Sequence, residues 1–130
     1  MYEVPSSEEA GSAVLVAVQL PSVGDVEFDE SVIELGRLAK TLGLRVAGAP
    51  LTQRRDALDP GSVLGAGKRE ELARLVEETS ARDVLVDHEL TPSQARNQEK
   101  ACGEAEVMDR TAVILEIFRR HARSRAARAQ

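Results

Sequence analysis

Two stretches of this 130-residue chain carry residue types that could do chemistry. The first is Gly65-Ala66-Gly67-Lys68-Arg69, preceded by Thr52-Gln53-Arg54-Arg55 and the turn Asp59-Pro60-Gly61. Glycines that open onto a helix leave backbone N–H groups free, and Arg54, Arg55, Lys68 and Arg69 beside them suit phosphate or another anion. A nucleotide P-loop is not spelled here: Arg69 stands where a Ser or Thr must hold Mg²⁺, and Gly61 lies one residue too far from Gly67. The dinucleotide fingerprint G-x-G-x-x-G fails at Glu70. The second stretch is Asp87-His88-Glu89, two carboxylates around an imidazole just past an apolar run, which suits acid–base work or a metal. With no further histidine or cysteine nearby, ordinary loop chemistry is the stronger reading, and no catalytic or metal site is assigned.

Around these stretches the elements alternate. Residues 13–20 form a continuous β-branched apolar run whose lack of alternation predicts a strand covered on both faces, as in a parallel sheet. Val32, Ile33, Leu35, Leu38, Ala39 and Leu42 follow helical spacing from about Asp29 to Gly43. Residues 44–51 suit a second strand, irregular at Gly48 and Pro50. Thr52 to Arg55 is placed in a loop, Val63-Leu64 in a short strand, and 68–79 in an amphipathic helix. Residues 83–87 form a buried strand, and Thr91-Pro92-Ser93-Gln94 spells a helix start with Thr as N-cap, ending near Cys102-Gly103. A last strand at 106–108 leads into a helix from Thr111. The pattern predicts an α/β domain with a mainly parallel sheet flanked by helices, ending in a basic C-terminal helix. Residues 1–12 form a polar, flexible N-terminus, 13–110 the domain and 111–130 the final helix.

Composition excludes several classes. Tyr2, Phe28 and Phe118 are the only aromatics, too few for a base-stacking platform. Cys102 stands alone, so no internal disulfide forms, and a reducing, cytoplasmic compartment is expected. No run reaches membrane-spanning length. The net charge of −5 is uneven: Asp109–Gln130 carries six arginines against two acids, a local +4. A basic terminal helix suits an anionic partner, although cations at a helix C-terminus also oppose its dipole.

Four ordered pieces go further. They are Thr52-Gln53-Arg54 with Pro60 and Val63-Leu64-Gly65-Ala66-Gly67-Lys68-Arg69-Glu70-Glu71-Leu72; Asp87-His88-Glu89-Leu90-Thr91-Pro92-Ser93-Gln94-Ala95-Arg96-Asn97; Val107-Met108-Asp109-Arg110-Thr111; and Ile114-Leu115-Glu116-Ile117-Phe118. Together they resemble the N-terminal domain of HflX-type GTPases, ribosome-associated proteins, over roughly Val14 to Gln130. The resemblance implies motif residues Gln53, Pro60, Gly65, Gly67, Lys68, Glu71, Glu89, Pro92, Gln94, Asn97, Asp109, Arg110 and Thr111. It implies a non-catalytic domain that binds the large ribosomal subunit or its RNA and regulates a GTPase domain in cis or in trans. GTP and Mg²⁺ belong to that separate domain, so no cofactor is expected in this chain. Candidate RNA-binding cations are Arg54, Arg55, Lys68, Arg69, Arg96, Arg119, Arg120 and Arg123. Residues 111–130 correspond to the start of the family's helical linker, with Ala126 and Ala129 where the family has an acid and a leucine. That departure leaves open a chain cut at the domain edge or a free-standing relative, and the opening Met1 with the untagged end tilts the expectation to the second. Two other readings come from different classes: a small-nucleotide (ATP or GTP) site at the Gly65–Arg69 turn, and a protein–protein module, including a homodimer through the C-terminal helix.

Overall fold

A computed structural model describes residues 11–103 and 105–129, with side chains as far as Arg123. The expected flexible N-terminus at 1–12 lies almost wholly outside the described residues. The elements are β1 (Ser12–Gln19), α1 (Asp25–Thr41), β2 (Arg45–Val46), β3 (Leu51–Arg54), α2 (Ala66–Thr79), β4 (Asp83–Val86), α3 (Pro92–Ala101), β5 (Glu106–Asp109) and α4 (Arg110–Ala129). Every pairing in the sheet is parallel. β1 sits in the middle, with β4 and then β5 on one side and both β2 and β3 on the other.

The apolar run of β1 divides between two layers. Ala13 and Leu15 join Leu85, Leu35, Ala39, Leu42 and Val113 beneath α1 and α4. Val14, Val16 and Val18 join Val84, Val86, Leu72, Val76 and Cys102 beneath α2 and α3. Alternate residues of one strand thus serve opposite cores, which explains why no polar position interrupts it. Cys102 fills space as the sequence suggests, and burial, helped by Glu99, pushes its thiol up to about 11.

Four local expectations change. α1 begins at Asp25, not near Asp29: Gly24 is its N-cap, and the first turn draws stability from Asp25 and Glu27 beside the helix N-terminus. The second strand is split, because Gly48 takes a positive φ of 68° and Pro50 has no N–H to give. Ala13 and Val16 of β1, three residues apart, face Val46 and Leu51, five apart, so the edge strand carries two extra residues. The polar Thr52-Gln53-Arg54 is strand rather than loop, since an edge strand with one exposed face tolerates such residues. Val63-Leu64 forms no strand; both side chains are fully buried from inside a loop.

Two buried polar groups oppose this packing. Gln98 of α3 is 0% exposed, and among the described residues neither of its amide atoms finds a hydrogen-bond partner. Replacing it with Leu removes that desolvation cost, so Gln98→Leu is expected to stabilise the fold by roughly 1–3 kcal/mol in chemical denaturation. Asp83, at the start of β4, has its pKa raised by burial and by Glu106, with Arg82 and Arg120 offsetting part of the effect. An acid raised on folding favours the folded state below its ordinary value of 3.8 and loses that contribution as pH climbs through the folded value. Asp83→Asn is therefore expected to raise Tm at pH 7, with the gain fading as the pH falls through the raised folded value and gone below 3.8.

Candidate functional site

The chain reverses direction across the sheet between β1 and β4, and open α/β sheets bind ligands beyond the strand ends at such a point. Here that position is filled from within. β4 stops pairing with β1 at Val86–Val16, and the His88 ring takes over the next place in the ladder. Its Nε2 lies 3.1 Å from the Val18 N–H and 3.0 Å from the Val18 carbonyl. Unprotonated at Nε2 it accepts from the former; protonated there it donates to the latter. His88 is thereby tied to the backbone, and among the described residues no group of three or more His, Cys, Asp or Glu side chains could hold a metal.

The carbonyls from Asp59 to Leu64 in the loop between β3 and α2, all but that of Pro60, accept hydrogen bonds. Arg55, 17% exposed at the side chain, donates from Nη1 to the Val63 carbonyl at 2.8 Å and pairs with Asp59 at 2.9 Å. The Ser62 hydroxyl donates to the Leu64 carbonyl at 2.6 Å. From α3, Gln94 donates to the Asp59 carbonyl at 2.9 Å, and Asn97 donates to the Gly61 carbonyl. Gln94 also closes a capping box with Thr91, so one side chain starts its own helix and grips the neighbouring loop. At the loop's end the Gly65 N–H donates to Gln53 Oε1 at 3.0 Å; a Cβ at Gly65 would lie 3.1 Å from the Gln53 amide nitrogen.

A second set of contacts joins the last strand to the first helix. Asp109 accepts from the Leu90 N–H at 3.0 Å and from the Ala112 N–H at 2.8 Å, capping α4 while fixing the turn before α3. Arg110 reaches Asp87 at 2.7 Å and Glu34 at 2.9 Å, and Ser31 donates to Asp87 at 2.6 Å. Burial alone would pull the Arg110 pKa down, but Asp87 and Glu34 more than offset it and the value lies above the ordinary one. Ser31 and Glu34 had no local signature in the sequence; they occupy one face of α1 at i,i+3, and only the tertiary fold brings Arg110 to them.

The candidate cations fall into three groups. Arg54, 78% exposed, pairs with Asp25 at 3.2 Å beside an open groove of about 780 Å³ that Gln19, Pro21, Gln53 and Gly65 help to line. Lys68 bridges Glu71 at 3.1 Å, Arg69 is half-buried with its Nε unpartnered among the described residues, and Arg96 is exposed on α3. Arg55, by contrast, is engaged inside the loop, so the structure does not offer it to a partner. Arg119, Arg120 and Arg123 cluster on α4, far along the chain's last helix from the loop contacts. Of the remaining motif residues, Pro92 occupies the first turn of α3, while Pro60, Gly67, Glu89 and Thr111 are exposed.

Removing Arg110 strands the Asp87 carboxylate, whose side chain is only 6% exposed. Arg110→Ala is expected to destabilise the fold by about 2–4 kcal/mol in denaturant titration. Arg110→Lys recovers less than half, because one ammonium cannot serve Asp87 and Glu34 together as a fork does.

Comparison with known proteins accounts for this interlocked set of motifs. Residues 29–119 match the family described as GTP-binding GTPase N-terminal. The chain is 42% identical to a GTPase HflX of Gluconacetobacter diazotrophicus, with 91% of this chain and 34% of that protein covered. It is 44% identical to the GTPase HflX of Alkalihalophilus pseudofirmus (82% and 25% covered) and 38% identical to that of Escherichia coli (91% and 26% covered). The chain therefore spans about a third or less of the relatives it resembles, and the match is to their N-terminal part rather than to a P-loop domain. This chain belongs to the GTP-binding GTPase N-terminal family, as an HflX-type N-terminal domain.

Proposed function

We propose that the domain is a non-catalytic docking element that binds the large ribosomal subunit through its RNA and biases an HflX-type GTPase in cis or in trans. Family membership supports the assignment, and the observation that carries it is the immobilised loop between β3 and α2. A loop whose carbonyls are already taken by Arg55, Gln94 and Asn97 meets a partner with little further ordering cost. Folded RNA is recognised chiefly by shape and phosphate position, which suits a rigid projection flanked by cations.

Arg54, Lys68, Arg69 and Arg96 surround this end of the sheet and are assigned the phosphate contacts. A nucleotide at the Gly65–Arg69 turn gains less support, since the Gly65 N–H is engaged by Gln53. Carboxylates near the same end (Asp25, Asp56, Asp59) keep the number of usable phosphate contacts small.

The test is co-sedimentation with large ribosomal subunits over a salt series. A folded Arg54→Glu, Lys68→Glu, Arg96→Glu variant is expected to pellet severalfold less. Its log–log salt slope is expected to fall by about 0.7–0.9 for each phosphate no longer neutralised. Pelleting equal to the parent at every salt concentration removes the assignment.

A further inference from the structure

α3 packs on the sheet without burying an apolar side chain of its own. Its buried residues are Gln94 and Gln98, whereas α1 buries Leu35 and Ala39, α2 buries Leu72 and Val76, and α4 buries Val113. From Pro92 to Ala101 the sequence holds no Leu, Ile, Val, Met or Phe. A helix in a protein draws most of its stability from an apolar face set against the core, and a short one without such a face is marginal. Only Cys102, just past the last turn, joins the core cluster.

Polar contacts hold the helix instead. Gln94 and Asn97 donate to the Asp59 and Gly61 carbonyls, Thr91 and Gln94 cap the first turn, and Asp109 fixes the Leu90 N–H before it. Each such bond contributes little net stability, because water replaces it when the helix leaves. Gln98 acts in the opposite direction: among the described residues both of its amide atoms are buried without a partner, and lifting α3 returns them to water. Beside the last turn, a groove of about 580 Å³ lies between α2 and α3, lined in part by Ala73, Val76, Ser80, Ala101 and Ala105. The two helix ends are therefore not closed on each other. The loop between β3 and α2 has anchors of its own, in the fully buried Val63 and Leu64 and in Arg55. Lifting α3 leaves those in place and removes only the ties at Asp59 and Gly61.

We propose that α3 is a latch: it lifts from the sheet as a unit, well short of global unfolding, and its docked or lifted state sets whether the loop tip at Asp59–Gly61 is fixed or free. A partner that binds the fixed tip favours the docked helix, and a partner that takes hold of the lifted helix loosens the tip, by the same coupling. The latch belongs to the unbound domain. It stands whether or not the RNA contacts assigned above are correct.

Cys102 is the chain's single cysteine and is 2% exposed, so its reaction with a thiol reagent under native conditions reads the lifting without any substitution. In the whole chain, labelling is expected to be at least about tenfold faster than global unfolding allows, with a denaturant slope less than about half the global one. Backbone amides of residues 95–102 are expected to exchange with the same opening constant, while those of α2 stay protected to the global level. Gln94→Ala with Asn97→Ala is expected to speed labelling about tenfold, and Gln98→Leu to slow it by a similar factor. Val113→Ala, in the opposite core, is expected to raise the global unfolding constant about tenfold and leave labelling unchanged. Labelling that carries the full global slope, or that Val113→Ala speeds in step with global unfolding, overturns the proposal. So do α3 amides as protected as those of α2, which would make the labelling a fraying of the last turn alone. Should Val113→Ala fail to fold, the slope and the amide exchange of the parent chain decide the question between them.

Discussion

The pair of Arg110 and Asp87 is the contact on which the arrangement at the strand ends depends. A parallel sheet leaves each strand through a turn on the same side, and these turns have no ladder partners to hold them together. Asp87 leaves β4, Arg110 enters α4 from β5, and both meet Ser31 and Glu34 on α1, the helix that follows β1. Three neighbouring strand ends, on both sides of the reversal point, are therefore fixed to one another. The pair is buried enough that either partner alone is costly, so its main effect is to exclude other arrangements of these turns.

The motif residues restrain one another. Gln94 and Asn97 hold the loop at Asp59 and Gly61; Asp109 holds the turn at Leu90; Gln53 holds Gly65. Pieces far apart in the sequence are links of one hydrogen-bonded series running from β3 to α1. His88, Asp87 and Asp109, which a survey of reactive side chains would pick first, are all engaged by backbone or by an ion pair. What these engagements leave exposed is a few cations at the strand ends and along α4.

The sequence made some of this legible and hid the rest for physical reasons. β1 was readable because burial on both faces leaves Ala13 to Val18 uniformly apolar, and α3 because Thr91-Pro92-Gln94 is a local capping signal. β3 was not, because its side chains face the edge and look like those of a loop. Val63 and Leu64 resemble a strand, yet they are buried from a loop whose carbonyls are taken by its own Arg55 and Ser62 and, some thirty residues away, by Gln94 and Asn97 of α3. Arg55 had the composition of a surface cation, and only the fold of its own loop shows that it points inward. The motif residues were found from their resemblance, whereas Ser31 and Glu34, partners of Arg110, were not, since nothing adjacent to them announces a contact made at long range.

The gap between β2 and β3 has a consequence for how this edge can change length. Its surplus is even in number, so parity along the strand survives: Val46 still shares a side of the sheet with Ala13, and Leu51 one with Val16. An odd surplus would send Leu51 into water and swing Gln53 away from Gly65. Homologous chains can therefore lengthen or shorten this segment in steps of two while keeping the same inside and outside, and a single-residue slip would undo the loop that follows.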